Sequence, residues 1–289
     1  MSATEIDKSK IDKTEIEKTR RYTVPALAQG LAVLALFSRE RPVWTPPEIA
    51  RELSLARATV FRLLQTLEAD GYVTRDDGER SFRLGVAVLS RGFAYLSSLD
   101  LVEVSQPVLK RLRDKTGLSS HLVTRDGREI VYVVRFAGHS ALTSNVTVGT
   151  RFPVHATVLG RMLICEFSDA QLADLFPERE LATYSEHTPA TRQELAALLA
   201  QDRARGYATS QSFFERGVSS IAAPVRDKSG NIIASINITA VDARVTTEEM
   251  NGILKDEVLA AAAEITNWIV ADASHRRDRG RSLPHKAAP

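Results

Sequence analysis

The chain has 289 residues, of which 44% are hydrophobic and 26% are charged, a composition typical of soluble globular proteins with about two domains. Its net charge of +2 is too small to indicate a class of partner, and no apolar run approaches the roughly 20 residues of a membrane-spanning helix. The single cysteine, Cys165, excludes an internal disulfide, and the N-terminus has no secretory signal, so we expect a cytoplasmic protein with no membrane contact.

Residues 1–22 are predicted to form a disordered or partly helical charged tail. Residues 1–20 contain the repeat IDKSK, IDKTE, IEKTR, whose period of five matches neither a helix nor a strand. Ten of these twenty residues are charged, with the two signs in balance. A segment of this composition buries too little apolar surface to fold alone.

The segment 46–84 has the pattern of a winged helix-turn-helix. Two helices are predicted over roughly 46–53 and 57–69, on either side of a tight turn at 54–56. The apolar segment 25–37 supplies a third helix for the core of an otherwise all-α domain with a β-wing. In this motif the second helix of the pair lies in the major groove of DNA.

The second helix has one apolar stripe and one face suited to DNA. Its apolar residues follow the spacing i, i+3, i+4, i+7 as Val60, Leu63, Leu64 and Leu67. Within this helix, Glu68 is the first acidic residue. Arginine and glutamine side chains can form hydrogen bonds with the edges of guanine and adenine. The residues predicted to contact DNA from this helix are Arg57, Ala58, Thr59, Arg62, Gln65 and Thr66. An ordinary amphipathic surface helix is the alternative interpretation.

A β-hairpin wing is predicted over residues 72–84, around the turn sequence DDG at 76–78. It would carry Arg75, Arg80 and Arg83 to the DNA backbone. Residues 39–83 contain eight Lys or Arg and eight Asp or Glu. Any affinity for DNA must therefore come from the placement of the arginines and not from net charge.

The remainder of the chain predicts a connecting helix and then an α+β domain. Residues 85–98 form the connector, and the alternation that follows is typical of an antiparallel sheet covered by helices. Helices are predicted over 102–115, 153–167, 170–175, 192–205 and 246–270, and strands over 119–124, 130–136, 141–148, 219–225 and 232–239. Residues 273–289 are basic and predict a flexible tail, either solvated or in loose contact with DNA.

Four segments of the chain resemble one known family. They are ARATVFRLLQTLEADGYV, VGTRFPVHATVLGRMLI, RARGYATS and ERGVSSIAAPVRDKSGNIIASINIT. Over residues 24–269 the chain resembles the isocitrate-lyase-regulator (IclR) family of bacterial transcription factors. The run GVSSIAAPV is specific to that family, whereas many families share the helix-turn-helix.

The resemblance implies a multi-domain organisation. A winged helix-turn-helix domain would occupy residues 23–84, a linker helix 85–100 and an effector-binding domain similar to GAF and PAS sensors 101–272. Members form dimers that often pair into tetramers, bind a double-stranded DNA operator, and bind small organic acids from carbon catabolism. The acid would be of the sugar-derived or aromatic catabolite class.

The resemblance also implies an effector site between the sheet and the helix after the sequence PVHA. Carried over by position, the site residues are Val158, Leu159, Gln211, Ser220, Asn237 and Thr239. Ser220 stands where many members have cysteine, and Gln211 replaces a frequent acidic residue. Val158 and Leu159 are bulkier than the residues in binders of two- or three-carbon acids. No specific effector is therefore carried over to this chain.

Strand periodicity independently supports a polar site in this part of the chain. Ser235, Asn237 and Thr239 alternate with isoleucines, so they share one face of a strand. Polar groups on an interior strand need partners, which a ligand could supply. Free N–H groups at a helix start near residues 155–157 would favour a carboxylate. The alternative is that the polar face meets solvent or that its side chains satisfy each other.

Two other classes of protein remain as alternatives. A small-molecule-processing enzyme would need a nucleophile, but Cys165 lies in the apolar run MLICEF, and the chain has no G-x-S-x-G, phosphate loop or H-E-x-x-H motif. The histidines are too scattered to propose a metal site, and no cofactor is expected. A winged domain that binds protein is disfavoured by the carboxylate-free face. Candidate dimer contacts are Leu31, Leu34, Leu89, Phe93 and Leu96.

Overall fold

The computed structural model describes residues 23–76, 80–139, 146–211, 218–241 and 245–281. The chain divides into two compact units, Met1–Tyr95 and Leu96–Pro289. Each unit has its own hydrophobic core, so the two are described separately.

The N-terminal unit is a three-helix bundle with a two-stranded wing. Its helices are α1 (Pro25–Ala35), α2 (Pro46–Glu52) and α3 (Arg57–Ala69). They enclose a core of Val33, Phe37, Trp44, Ile49, Ala50, Val60, Leu64, Val73 and Phe82. The predicted helix pair is confirmed, and α3 has the bounds that the sequence indicated.

The turn between α2 and α3 is tight because one residue adopts a left-handed conformation. Ser54 has φ +52°, which is uncommon for a residue other than glycine. Helix α2 begins with a capping box, in which Thr45 accepts from the helix backbone while Glu48 accepts from the Thr45 N–H at 2.9 Å. These local features fix where α3 starts.

The wing consists of β1 (Val73–Arg75) and β2 (Phe82–Leu84), which pair antiparallel. This confirms the predicted hairpin, although its turn at 77–79 lies outside the described residues. Directly after β2, the chain passes close to the end of α3. A Cβ at Gly85 would lie 2.1 Å from the Gly71 carbonyl oxygen, so this position accepts no larger residue without a shift.

The predicted connector is confirmed as helix α4 (Val86–Ser97). None of its residues is buried within the chain. Val86, Leu89 and Phe93 lie on one side at spacings of three and four, with exposed fractions of 78%, 70% and 68%. The helix therefore carries an apolar stripe with no partner among the described residues.

The C-terminal unit is built on a six-stranded antiparallel sheet. Its strands are β3 (Ser119–Asp126), β4 (Glu129–Phe136), β5 (Arg151–Pro153), β6 (Ala208–Gln211), β7 (Val218–Arg226) and β8 (Ile232–Val241). Their order across the sheet is β5-β4-β3-β8-β7-β6. The two central strands, β3 and β8, come from opposite ends of this unit and pair with His121 opposite Asn237.

Helices cover both faces of this sheet. One face packs on α5 (Asp100–Thr116) and α10 (Ile253–Arg281), with Ile236 and Ile238 of β8 in this layer. The opposite face packs on α6 (Val158–Ile164), α7 (Asp169–Leu175) and α8 (Arg192–Arg205). The predicted alternation along β8 is confirmed, because the isoleucines lie on the first face and leave Asn237 on the second.

Several predicted elements of this unit were wrong in detail. The helix predicted over 153–167 is divided into β5, a single 3₁₀ turn (Val154–Ala156), an extended Thr157 and the short α6. The closing helix is interrupted at Gly252, with α9 (Thr247–Asn251) before it and α10 after it. The strand predicted over 141–148 falls largely outside the described residues, and 146–148 are not in a strand. Strand β6 was not predicted.

Candidate functional site

A cavity of about 80 Å³ lies in the C-terminal unit, between the sheet and the start of α6. One water needs roughly 10–15 Å³ by the same kind of measure, so the space suits a small organic molecule. The walls combine apolar and aromatic side chains with a few polar groups, as is typical of ligand sites. The lining residues are His121, Tyr132, Val146, Phe152, Ala156, Thr157, Val158, Leu159, Ser210, Val218, Ser220, Asn237 and Thr239.

Asn237 is the centre of a hydrogen-bond network on the sheet side of the cavity. Its Nδ2 donates to Ser220 Oγ at 2.8 Å and to Thr239 Oγ1 at 2.9 Å. Its Oδ1 lies 2.8 Å from His121 Nδ1. The Ser220 hydroxyl in turn donates to the carbonyl of Ile238 at 2.9 Å. The polar residues of this face thus satisfy each other and also line the cavity.

This network fixes the protonation state of His121. Because the amide nitrogen of Asn237 donates to two hydroxyl oxygens, its oxygen must accept, so His121 Nδ1 carries the proton. His121 is 2% exposed, and burial lowers its pKa from 6.5 to about 4. The Tyr132 ring packs against the imidazole edge to face, with ring centroids 5.3 Å apart. The imidazole is therefore neutral at physiological pH.

The start of α6 supplies backbone donors at the opposite wall. Thr157 is extended and caps the helix, since its Oγ1 accepts from the Gly160 N–H at 3.0 Å. The N–H groups of Val158 and Leu159 belong to the first helical turn and have no intrahelical acceptor. Both residues line the cavity, so this wall is suited to an anionic group.

Glycine at position 160 allows α6 to approach the preceding turn. A Cβ there would lie 2.0 Å from the Val154 carbonyl oxygen, closer than any real Cβ contact. The helix start could not occupy its present position with a larger residue. Gly160 thus places the backbone donors of α6 at the cavity.

A buried ion pair holds α6 from the other side. Arg161 Nε lies 2.7 Å from Asp202 Oδ2 of α8, and both side chains are 1% exposed. Arg161 also donates to the Thr209 carbonyl of β6 at 2.9 Å. One guanidinium therefore joins three elements beside the cavity, in an interior where charges need compensation.

The structure brings together most of the predicted effector residues. Five line the cavity, namely Val158, Leu159, Ser220, Asn237 and Thr239. Gln211 lies at the end of strand β6, opposite Ser219, and not in the loop that the sequence indicated. Its side chain lies outside the described residues.

His121 and Tyr132 are cavity residues that sequence reasoning missed. His121 belongs to a strand that the sequence predicted only as part of a hairpin. Its contact with Asn237 depends on the pairing of β3 with β8, which brings together two residues 116 positions apart in the sequence. Hairpin patterns report local pairing only. The histidine's position in an apolar strand, SSHLV, was the one available signal.

In the N-terminal unit, α3 presents a continuous polar face. Val60 and Leu64 are buried in the core, as predicted. Thr59 is half-buried, and the Thr66 hydroxyl donates to the Arg62 carbonyl at 3.1 Å. The exposed residues of the predicted face are Arg57, Ala58, Arg62, Gln65 and Thr66. Phe61, which sequence reasoning left out of the predicted site, is 57% exposed beside them.

The wing arginines are not equivalent. Arg75 pairs with Glu68 of α3, with Nε–Oε1 at 2.9 Å, and lies over the Phe82 ring at 5.0 Å. Arg83 pairs with Asp76 at the base of the wing turn. Arg80 is exposed at the wing. The charges of Arg75 and Arg83 are thus partly offset by the carboxylates of Glu68 and Asp76. The spacing of these residues in the sequence did not indicate the two ion pairs.

The described residues offer little for catalysis. Cys165 is 3% exposed, and burial raises the pKa of its thiol to about 11, so it is held as a thiol and donates to the Met162 carbonyl. Within the described ranges, no group of three or more His, Cys, Asp or Glu is placed to bind a metal ion. None of the helices in the described part of the chain is long and apolar enough to cross a membrane.

Comparison with known proteins gives two family-model matches. The model described as "IclR helix-turn-helix domain" matches residues 26–77. The model described as "Bacterial transcriptional regulator IclR C-terminal" matches residues 93–267. The second match alone spans more than half of the chain, and residues 78–92 lie between the two matches.

Individual proteins match along nearly the same length. The chain is 33% identical over 245 residues to the Pca regulon regulatory protein of Pseudomonas putida, which is 84% of each chain. It is similar to the crystal structure of RHA06195 from Rhodococcus sp. RHA1, with 36% identity and a TM-score of 0.77. That match covers 87% of the present chain and 100% of RHA06195. An IclR homolog from Microbacterium hydrocarbonoxydans, complexed with 4-hydroxybenzoate, shares the fold at 22% identity and a TM-score of 0.74. That match covers 84% of the present chain and 98% of the homolog.

We expect Gly160→Ala to destabilise the C-terminal unit by about 2 kcal/mol or more, because the new methyl group would overlap the Val154 carbonyl. Thermal unfolding followed by circular dichroism measures the effect. Gly92→Ala is the control, since no atom lies within 4 Å of a Cβ at that position. Equal melting of the two variants would show that α6 has room to move.

The pKa of His121 predicts a dependence of stability on pH. The unfolded chain takes up a proton below pH 6.5, whereas the folded protein leaves His121 neutral down to about pH 4. The stabilising contribution is therefore present above pH 6.5 and is lost as the pH falls toward 4, by about 3 kcal/mol in all.

Urea denaturation between about pH 7 and pH 4 should show a smaller loss of unfolding free energy in His121→Phe than in the wild type. His187→Phe is the control, because His187 is 52% exposed on the surface. Parallel pH profiles for wild type and His121→Phe would contradict the assignment of a neutral buried imidazole.

Proposed function

The chain belongs to the IclR family of bacterial transcriptional regulators, with a DNA-binding helix-turn-helix domain and a C-terminal effector domain, and we propose which of its residues carry each activity. Helix α3 contacts the operator, and the cavity beside α6 binds a small carboxylic acid. The observation that carries the first assignment is the exposed, carboxylate-free face of α3. The chain is not an enzyme in this proposal, and a DNA partner places it in the cytoplasm.

On α3, Arg62 and Gln65 contact base edges in the major groove. Both are exposed on the side opposite Val60 and Leu64, and each can form two hydrogen bonds with a base. Arg57, Ala58, Thr59 and Thr66 flank them, where side chains and helix-start N–H groups meet the groove walls and phosphates. Phe61 adds an apolar surface suited to a thymine methyl group.

The wing makes a smaller contribution to affinity. Arg80 contacts the DNA backbone directly, whereas Arg75 and Arg83 must share their charge with Glu68 and Asp76. Exchange of a carboxylate partner for a phosphate gains less than the placement of a free arginine.

The protein acts as a homodimer or as a tetramer that consists of two such dimers. Helix α1 exposes Leu27 and Leu31, four residues apart, next to the exposed N-cap residue Val24, and α4 exposes Leu89 and Phe93. Apolar stripes of this kind are typical of surfaces that another copy covers. Of the other predicted contacts, Leu34 and Leu96 are partly buried against the cores of their own units. A dimer would place two α3 helices about 34 Å apart on a pseudo-palindromic site.

The effector is a small organic acid. Its carboxylate accepts from the N–H groups of Val158 and Leu159, while Val146, Phe152 and Val218 surround an apolar body. The apolar walls favour the aromatic over the sugar-derived catabolite class, and the related structure with 4-hydroxybenzoate supports this choice. Binding there needs to change operator affinity by only about 1–3 kcal/mol to act as a switch.

We expect Arg62→Ala with Gln65→Ala to weaken binding to the preferred operator by about 100-fold or more, since two base contacts are lost. The operator is first selected from a random DNA pool with the purified wild-type protein near physiological salt. Fluorescence anisotropy then compares the variants. Lys110→Ala, which removes an exposed positive charge from the other unit, is the control.

A selection that enriches no sequence, or a double variant that binds the selected operator like the wild type, would overturn the assignment of the α3 face.

The dimer proposal predicts that Leu89→Glu with Phe93→Glu raises the dimer dissociation constant by about 100-fold or more, because two charges would replace buried apolar contacts. Sedimentation equilibrium measures the association. Ser90→Glu, an exposed position on the same helix, is the control. If the double variant associates like the wild type, the dimer forms through another surface.

A further inference from the structure

We propose that His121 selects effectors that carry a hydroxyl group, so that the ligand is a hydroxy-substituted carboxylic acid. This inference rests on the proposed role of the cavity as the effector site. It goes beyond that role because it identifies His121 as the acceptor for a hydroxyl group of the ligand and restricts the effector to one chemical class.

The argument begins with an unsatisfied atom. His121 Nε2 is buried and has no hydrogen-bond partner among the described residues. The side chain lines the cavity. Buried polar atoms in folded proteins are almost always paired, so an unpaired one on a side chain that lines a cavity points to a ligand group as its partner.

The atom is an acceptor and not a donor. Nδ1 carries the proton because it faces the amide oxygen of Asn237, which leaves a lone pair on Nε2. Burial keeps the imidazole neutral, since its pKa is lowered to about 4. A carboxylate has no proton to donate, so it would be repelled by this lone pair. The matching group is a hydroxyl or an N–H.

Two polar neighbours of His121 already use their protons within the protein. Asn237 Nδ2 donates to Ser220 and Thr239, and the Ser220 hydroxyl donates to the Ile238 carbonyl. No described side chain donates to Nε2, and the hydroxyl of a cavity ligand is suited to that role.

The cavity has two chemically distinct polar ends. The backbone N–H groups at the start of α6 suit an anion, whereas His121 suits a donor. The aromatic edges of Tyr132 and Phe152, with ring centroids 5.9 Å apart, lie beside His121 and suit a flat apolar body. A hydroxybenzoate combines a carboxylate, a ring and a hydroxyl in this way.

The test compares acids that differ only in the hydroxyl. Isothermal titration calorimetry of the full-length protein would use benzoate, 3-hydroxybenzoate and 4-hydroxybenzoate. We expect at least one hydroxybenzoate to bind about tenfold or more tightly than benzoate, because a site built for a hydroxyl rejects the analogue without it. In His121→Phe this ratio should fall to about one, and in His187→Phe it should persist.

A second measurement does not depend on a variant that folds. In wild-type protein with ¹⁵N-labelled histidine, acceptance of a hydrogen bond should move the Nε2 resonance of His121 to lower frequency. The hydroxybenzoate that binds should cause this shift, and benzoate should not.

The inference is overturned if benzoate binds as tightly as both hydroxybenzoates, which would mean that water satisfies Nε2. Absence of binding by all three acids would also overturn it. Neither result affects the selection of an operator, so failure of this inference and failure of the regulator assignment are distinguishable.

Discussion

The effector domain depends on the buried ion pair between Arg161 and Asp202. Each charge is tolerated in the interior only because the other compensates it, and removal of one partner from such a pair costs about 3–5 kcal/mol. The same guanidinium binds the Thr209 carbonyl, so α6, α8 and β6 are joined at one point. The close contact at Gly160 then leaves α6 one position, with its first N–H groups at the cavity. The geometry of the site follows from these two constraints.

The ion pair also explains why α6 can be short. Seven residues are too few for a helix to be stable by itself, because nucleation is costly and few hydrogen bonds follow. Here all seven residues are buried, so packing and the ion pair supply the stability that helix propensity does not.

Local sequence patterns predicted the elements whose cause is local. Helix α3 was found at its observed bounds from its apolar periodicity, and the end of α8 was found from the glycine that follows it at position 206. The segment 153–167 was wrongly predicted as one helix, since its division depends on the pairing of Arg151–Pro153 with β4 and on the contact between Gly160 and Val154. Position-by-position resemblance found five of the thirteen residues that line the cavity, but His121 required the long-range pairing of β3 with β8. The ion pair of Arg75 likewise depends on how the wing folds against α3.

The exposure of helix α4 has a consequence for the stability of that helix. It has 12 residues, and none is buried within its own chain. An isolated helix of about 12–15 residues is near the midpoint of the helix–coil equilibrium in water. Apart from a few contacts, such as the Arg91 Nε–H that donates to the Tyr72 hydroxyl at 3.2 Å, its order therefore depends on whatever covers its apolar stripe. A segment of this kind responds to a covering surface by a change in its own order, which alters its conformational entropy.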